Sequence, residues 1–241
     1  MTLMNLNGYF TGQGILFFIL WDYRAKNSYI QLNSVIHSGL KMKYSLNGII
    51  YRNIIDPILS RYYPRITEEL KPDDTVLDVA CGTGSLSLAM SGLSSRVWGI
   101  DLSEEMIGIS NNQADKKKVE NVIFKVKDAS YLSSFGDNEF DVAVMSMAIH
   151  QFDSELALKI LNEMRRIAPK VILMDYNYPM QPGISKLVIF IIERIAGGDH
   201  YRNFRRFNTL GGLDYFIEKA GLRIESDKLG KNSAFRVMVC A

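Results

Sequence analysis

The chain has 241 residues, of which 47% are hydrophobic and 22% charged, with a formal net charge of +2. That size suits one α/β domain with a small extra element, and the balance excludes a disordered chain and argues against nucleic acid as the main partner. Two cysteines far apart, Cys81 and Cys240, exclude a disulfide framework and a paired-thiol metal site, and fit a reducing, cytoplasmic setting.

Residues 1–41 read as an N-terminal extension without chemistry-bearing motifs, and 42–241 as the functional domain. The apolar run at 15–21 is far below the about 20 residues a membrane-spanning helix needs. No Lys or Arg precedes it, so the basic start of a secretory signal is missing. It is expected to pack on the domain, with a peripheral membrane contact as the alternative. From Met42 apolar residues recur at near-helical spacing, broken by Pro64, until a turn at 71–74.

Strands and helices then alternate. Strands are expected at 75–79, 96–100, 122–126, 140–146 and 170–175. A helix opens at Gly84. Another starts behind Ser103, with Glu104 and Glu105 in its first turn and lysines at its end, as the helix dipole favours. A third covers 154–168. An apolar helix is expected at 184–196, a polar and aromatic loop at 197–204, a helix at 209–220 stopped by Gly221, and a closing hairpin at 222–227 and 234–240.

The segment Val76-Leu77-Asp78-Val79-Ala80-Cys81-Gly82-Thr83-Gly84 carries the strongest signal. A strand runs into small residues and then a helix, so a ligand can approach backbone N–H groups without a Cβ clash. Such turns lie at the carboxyl ends of parallel strands, where open sheets bind ligands. A dinucleotide site would want Gly or Ala where Ser87 stands, and its pyrophosphate gains nothing from Asp78. A ligand with a cationic amino group and no phosphate does gain, and S-adenosylmethionine is one. Asp101, 17 residues beyond Gly84, can accept from both ribose hydroxyls. Asp128, after the third strand, can accept from the adenine amino group. A nicotinamide-dependent oxidoreductase, or a binding module without catalysis, remains the alternative reading at this point.

Taken in order, Asp78 through Gly84, Gly99-Ile100-Asp101-Leu102-Ser103-Glu104-Glu105-Met106, Lys127-Asp128-Ala129 and Phe140-Asp141-Val142 resemble the class I S-adenosylmethionine-dependent methyltransferases, in the broad group that includes the quinone-biosynthesis C-methyltransferases. The resemblance covers roughly residues 42–241. It implies a Rossmann-like, mostly parallel seven-stranded sheet with helices on both faces and one antiparallel strand. It implies that Asp78, Ala80, Cys81, Gly82 and Gly84 line the methionine end of the cofactor, with Ser146 beneath it. Asp101 would hold the ribose, Leu102 and Met106 the adenine, and Asp128 and Ala129 the base edge. The family often has Gly where Ala80 stands.

The acceptor is expected to be a small molecule, hydrophobic by the apolar segments 15–21 and 187–196. Tyr44, Tyr51, Tyr176, Tyr178 and Tyr201 are candidates to touch it. His150 and His200 are the candidate general bases should the acceptor have to lose a proton. Asp141 reads as structural and Cys81 as a small loop residue. No metal-ligand spacing is visible, so no metal is expected.

Overall fold

The computed structural model describes residues 56–229 and 233–241. The 15–21 segment, Tyr44, Tyr51 and the boundary between 41 and 42 lie outside the described residues. Two short helices, α1 (Asp56–Leu59) and α2 (Pro64–Thr67), bring Leu59 and Ile66 into the core.

Seven strands form one sheet: β1 (Thr75–Val79), β2 (Arg96–Asp101), β3 (Val122–Val126), β4 (Val142–Ser146), β5 (Lys170–Tyr176), β6 (Ile224–Leu229) and β7 (Phe235–Cys240). Their order is β3-β2-β1-β4-β5-β7-β6. The first five pair in parallel, and β7 runs antiparallel to both β5 and β6. The mostly parallel sheet with one reversed strand is the one the resemblance implied. Strands β4 and β5 are buried almost end to end, which is why they read as unbroken apolar runs. From β1 at the sheet's centre the strands wind out to β3, and the chain returns to β4 on the other side of β1. The crevice at that reversal is where open sheets of this kind bind ligands.

Helices α3 (Ser85–Met90), α4 (Glu104–Lys117), α5 (Ser154–Ile167), α6 (Ile184–Ala196), α7 (Gly198–Leu210) and α8 (Leu213–Lys219) complete the domain, with a 3₁₀ turn at Ile149–Gln151. The Ser103 hydroxyl accepts from Met106 N and caps α4 as expected. The Asp153 carboxylate does the same for α5 through Leu156 N. Helix α5 buries Ala157, Ile160, Leu161, Met164 and Ile167, a stripe at helical spacing against the sheet.

The region after β5 departs from the sequence expectation. The stretch at 197–204 is not a loop but the first half of α7. Phe204 and Phe207, three residues apart, share one face and are both fully buried. That burial outweighs the polar residues around them. The helix expected at 209–220 is split, because Gly211 and Gly212 both adopt positive φ. At Gly212 a Cβ would lie 2.7 Å from the Tyr178 Cβ, so the break is also a close approach. Among the described residues no helix is long and apolar enough to cross a membrane.

Candidate active site

The turn between β1 and α3 is held by polar contacts from three elements, β2, α4 and α1. Asp101, at the end of β2, accepts from Gly82 N at 2.9 Å and from Ser103 N at 2.8 Å. The Ser110 hydroxyl of α4 donates to the Gly82 carbonyl at 2.9 Å, and the Gln113 amide to the Thr83 carbonyl at 2.8 Å. The hydroxyls of Thr83 and Ser85 both donate to Asp56 at 2.7 Å. Asp56 is buried at the start of α1. It went unnoticed in the sequence because it lies upstream of every motif, inside an apolar helical stretch.

The backbone explains the small residues. Gly82 and Gly84 have φ of 54° and 77°. A Cβ on Gly82 would meet nothing within 4 Å, so that side of the turn is open. A Cβ on Gly84 would fall 2.6 Å from the Phe124 ring, and one on Gly99 2.5 Å from the same ring. Phe124 of β3 therefore dictates glycine at both places. Ala80 also stands at positive φ, 56°, as does Met147 beyond β4. An L-residue there costs roughly 1–2 kcal/mol, and such strain gathers where strands end at functional sites. The Ala80 departure is therefore a strained one, since this is backbone that glycine adopts freely.

Asp78 is 1% exposed, and the Ser87 hydroxyl donates to it at 2.5 Å. Burial pushes its carboxyl up to about 7, against the pull of the Ser87 hydrogen bonds, with nearby Asp101 adding to the rise. Ser87 thus fills the position a dinucleotide motif gives to glycine, and uses it to hold an acid. The Cys81 thiol is raised well above its ordinary value, first by burial and then by Asp78 and Asp101. A thiol raised in this way is a weaker nucleophile than a free cysteine, in keeping with a small loop residue.

The other expected cofactor residues lie along the same carboxyl edge. Leu102 is 73% exposed, and Met106 and Ala129 are half-buried. Asp128 is exposed. It accepts from Ser130 N at 2.8 Å, and the hydrogen bonds from Ser130 hold its carboxyl below the usual range. Ser146 closes β4, half-buried. Asp141 accepts from the Thr75 N and hydroxyl at 2.7 and 2.8 Å and ties β4 to β1, as a structural residue should.

A second polar group stands at the ends of β4 and β5. His150, in the 3₁₀ turn, is 2% exposed. Its Nδ1 lies 2.7 Å from Asp175 Oδ1, and its backbone N donates to Asp175 Oδ2 at 3.2 Å. Its Nε2 lies 3.6 Å from Glu193 of α6, while His200 Nε2 of α7 lies 2.7 Å from the other Glu193 oxygen. Tyr176 donates to Glu193 at 2.6 Å, and its ring packs 4.6 Å from His150. Burial works against charge on His150, but Asp175 and then Glu193 outweigh it and the imidazole is raised. Burial likewise works against charge on Glu193, but His200, His150 and Tyr176 hold it below the usual range. The structure thus brings His150, His200 and Tyr176 together. Tyr201 stays nearby, half-buried and stacked on Phe204, whereas Tyr178 lies against Gly212 and is 38% exposed. Asp175 and Glu193 were not singled out in the sequence, since each sits in an apolar run.

Residues 76–170 match a family described as a methyltransferase domain. The chain is 30% identical over 139 residues to an uncharacterized methyltransferase of Bacillus subtilis, covering 56% of this chain and 53% of that one. It is 26% identical over 133 residues to a demethylmenaquinone methyltransferase of Alkalihalophilus pseudofirmus, covering 53% and 55%. The chain thus spans about half the length of these relatives. Among solved structures it is similar to the PH0226 protein of Pyrococcus horikoshii, with TM-score 0.59 at 23% identity over 78% of this chain and 91% of that one. It is also similar to an S-adenosylmethionine-dependent methyltransferase of Aquifex aeolicus, with TM-score 0.51 at 20% identity over 74% and 88%. The ordered motifs, the methyltransferase-domain match over residues 76–170 and the sheet order are similar to those of the class I S-adenosylmethionine-dependent methyltransferases.

Proposed function

We propose that the protein transfers the methyl group of S-adenosylmethionine to a small, hydrophobic acceptor. One observation carries the reading: two acids, Asp78 and Asp101, end adjacent strands on either side of an open glycine turn, at the reversal of the sheet. Asp78 would balance the cationic amino group, and Asp101 would take the ribose hydroxyls on lone pairs its two backbone amides leave unused. A buried acid at Asp78 opposes the pyrophosphate of a nicotinamide cofactor.

The sulfonium donor is already activated, so the acceptor's nucleophile displaces the thioether in line. The protein's part is alignment and exclusion of water. The relatives named as demethylmenaquinone methyltransferases support an apolar, ring-bearing acceptor. His150, His200 and Glu193, at the ends of β4 and β5, would meet its polar end.

Calorimetry tests the cofactor. S-adenosylmethionine or its demethylated product should bind in the micromolar range, about −8 kcal/mol, and NAD should not compete. Binding of NAD alone would overturn the proposal. Incubation with labelled S-adenosylmethionine and an apolar lysate extract should then label a small molecule in the organic phase. Label found only in protein would overturn the acceptor class.

A further inference from the structure

We propose that His150, Glu193 and His200 form a binding site for one divalent transition ion of the zinc type. The three side chains come from the 3₁₀ turn, α6 and α7, and their ligand atoms all lie within 4.8 Å of one another. Two imidazoles and a carboxylate are a borderline nitrogen–oxygen set that suits such ions. Bonds of about 2.0–2.1 Å at tetrahedral angles set donor atoms roughly 3.3 Å apart. The two observed spacings, 3.6 Å from His150 to Glu193 and 2.7 Å from His200 to Glu193, bracket that value.

The surroundings match those of a built metal centre. A ligating histidine usually gives its other ring nitrogen to a carboxylate, and a ligating carboxylate is itself hydrogen-bonded. Here His150 Nδ1 is held by Asp175, which Tyr176 N fixes in turn at 2.7 Å. The Tyr176 hydroxyl holds Glu193 Oε1. The second oxygen, Oε2, is buried and has no aligned donor, although His200 Nε2 stands 2.7 Å away. An ion between them would engage both atoms. Three protein ligands leave a fourth position for water or for an oxygen of the acceptor, the pattern of catalytic rather than structural zinc. This inference stands apart from the cofactor reading, because none of its residues touches the glycine turn.

The test uses untagged full-length protein stripped with a chelator. Cobalt(II) titration should yield the visible absorption of a four-coordinate centre, saturating at one ion per chain and reversed by zinc. Elemental analysis after zinc loading should agree, and zinc should raise the melting temperature. His200→Ala and Glu193→Gln should each weaken binding by about 100-fold or more, since losing a group that only supports a ligand already costs about 10–100-fold, whereas His37→Ala, which removes the remaining histidine of the sequence, should change nothing. Titration of both ligand variants with S-adenosylmethionine should show the cofactor site intact. The proposal is overturned if stripped wild type takes up no stoichiometric metal. It is equally overturned if both ligand variants bind as wild type does, since the cluster is then an ion-pair network alone. Should a variant fail to fold, X-ray absorption of the zinc-loaded wild type decides, two imidazoles supporting the site and fewer refuting it.

Discussion

Asp101 accepts from two backbone amides, so it organises the turn as well as offering lone pairs to a ribose. Asp101→Ala should weaken cofactor binding by roughly 1.5–3 kcal/mol, the range for hydrogen bonds to a charged group. Asp141→Asn, which loosens the exposed tie between β4 and β1, should leave affinity unchanged and cost about 1 kcal/mol in a denaturant titration. The reverse pattern would show that the motifs are wrongly placed. Asp78 adds a pH signature. Its folded pKa is raised, so the unfolded chain ionises first, and ligand-free stability falls as pH climbs from the ordinary carboxylate range to about 7. A cationic amino group beside it favours the ionised form. The rise in melting temperature that S-adenosylmethionine produces should therefore grow between about pH 6 and about pH 8, and a flat profile would remove Asp78 from the site.

At the scale of elements, the β1–α3 turn separates two kinds of glycine. Gly84→Ala drives a Cβ into the Phe124 ring and should cost about 2 kcal/mol or more in stability. Gly82→Ala meets open space, so its folding cost should be only the left-handed backbone, about 1 kcal/mol, while cofactor affinity falls. Thermal melts and calorimetry on both variants check this. Equal stability losses with unchanged affinity would mean that the open side of Gly82 faces no ligand. The same turn shows why the candidate cofactor residues stood out in the sequence. Asp78, Gly82 and Gly84 lie within one strand–turn–helix, Asp101 ends a strand with a clear apolar pattern, and Asp128 follows another strand. The other half of the candidate site was legible only in part, since His150, His200 and Tyr176 stood out singly but their gathering with Asp175 and Glu193 did not. Glu193 is embedded in an apolar helix, His200 sits in what reads as a loop, and 43 residues separate His150 from Glu193. Only the docking of α7 on the 3₁₀ turn, which Asn203 ties to the Gln151 carbonyl, gathers them. The burial of Phe204 and Phe207 that drives this docking has no local signature, because their neighbours are polar.

For the whole molecule, residues 1–41 carry none of the residues on which the cofactor reading rests. A chain starting at Met42 should therefore bind S-adenosylmethionine as the full chain does, measured by calorimetry on both. Loss of binding would show that residues 1–41 help build the site. Liposome sedimentation of the two chains tests the alternative peripheral role of the apolar run at 15–21, which predicts that the shorter chain stays in the supernatant. The bond of Asp56 to Thr83 and Ser85 has one more consequence. It joins the segment entering α1 to the loop that receives the cofactor, so the two are thermodynamically linked. Whatever cofactor binding contributes to the anchoring of α1, the anchoring of α1 returns to the cofactor by the same factor. On the proposed reading, the cofactor's affinity would be set partly by a carboxylate that never needs to touch it.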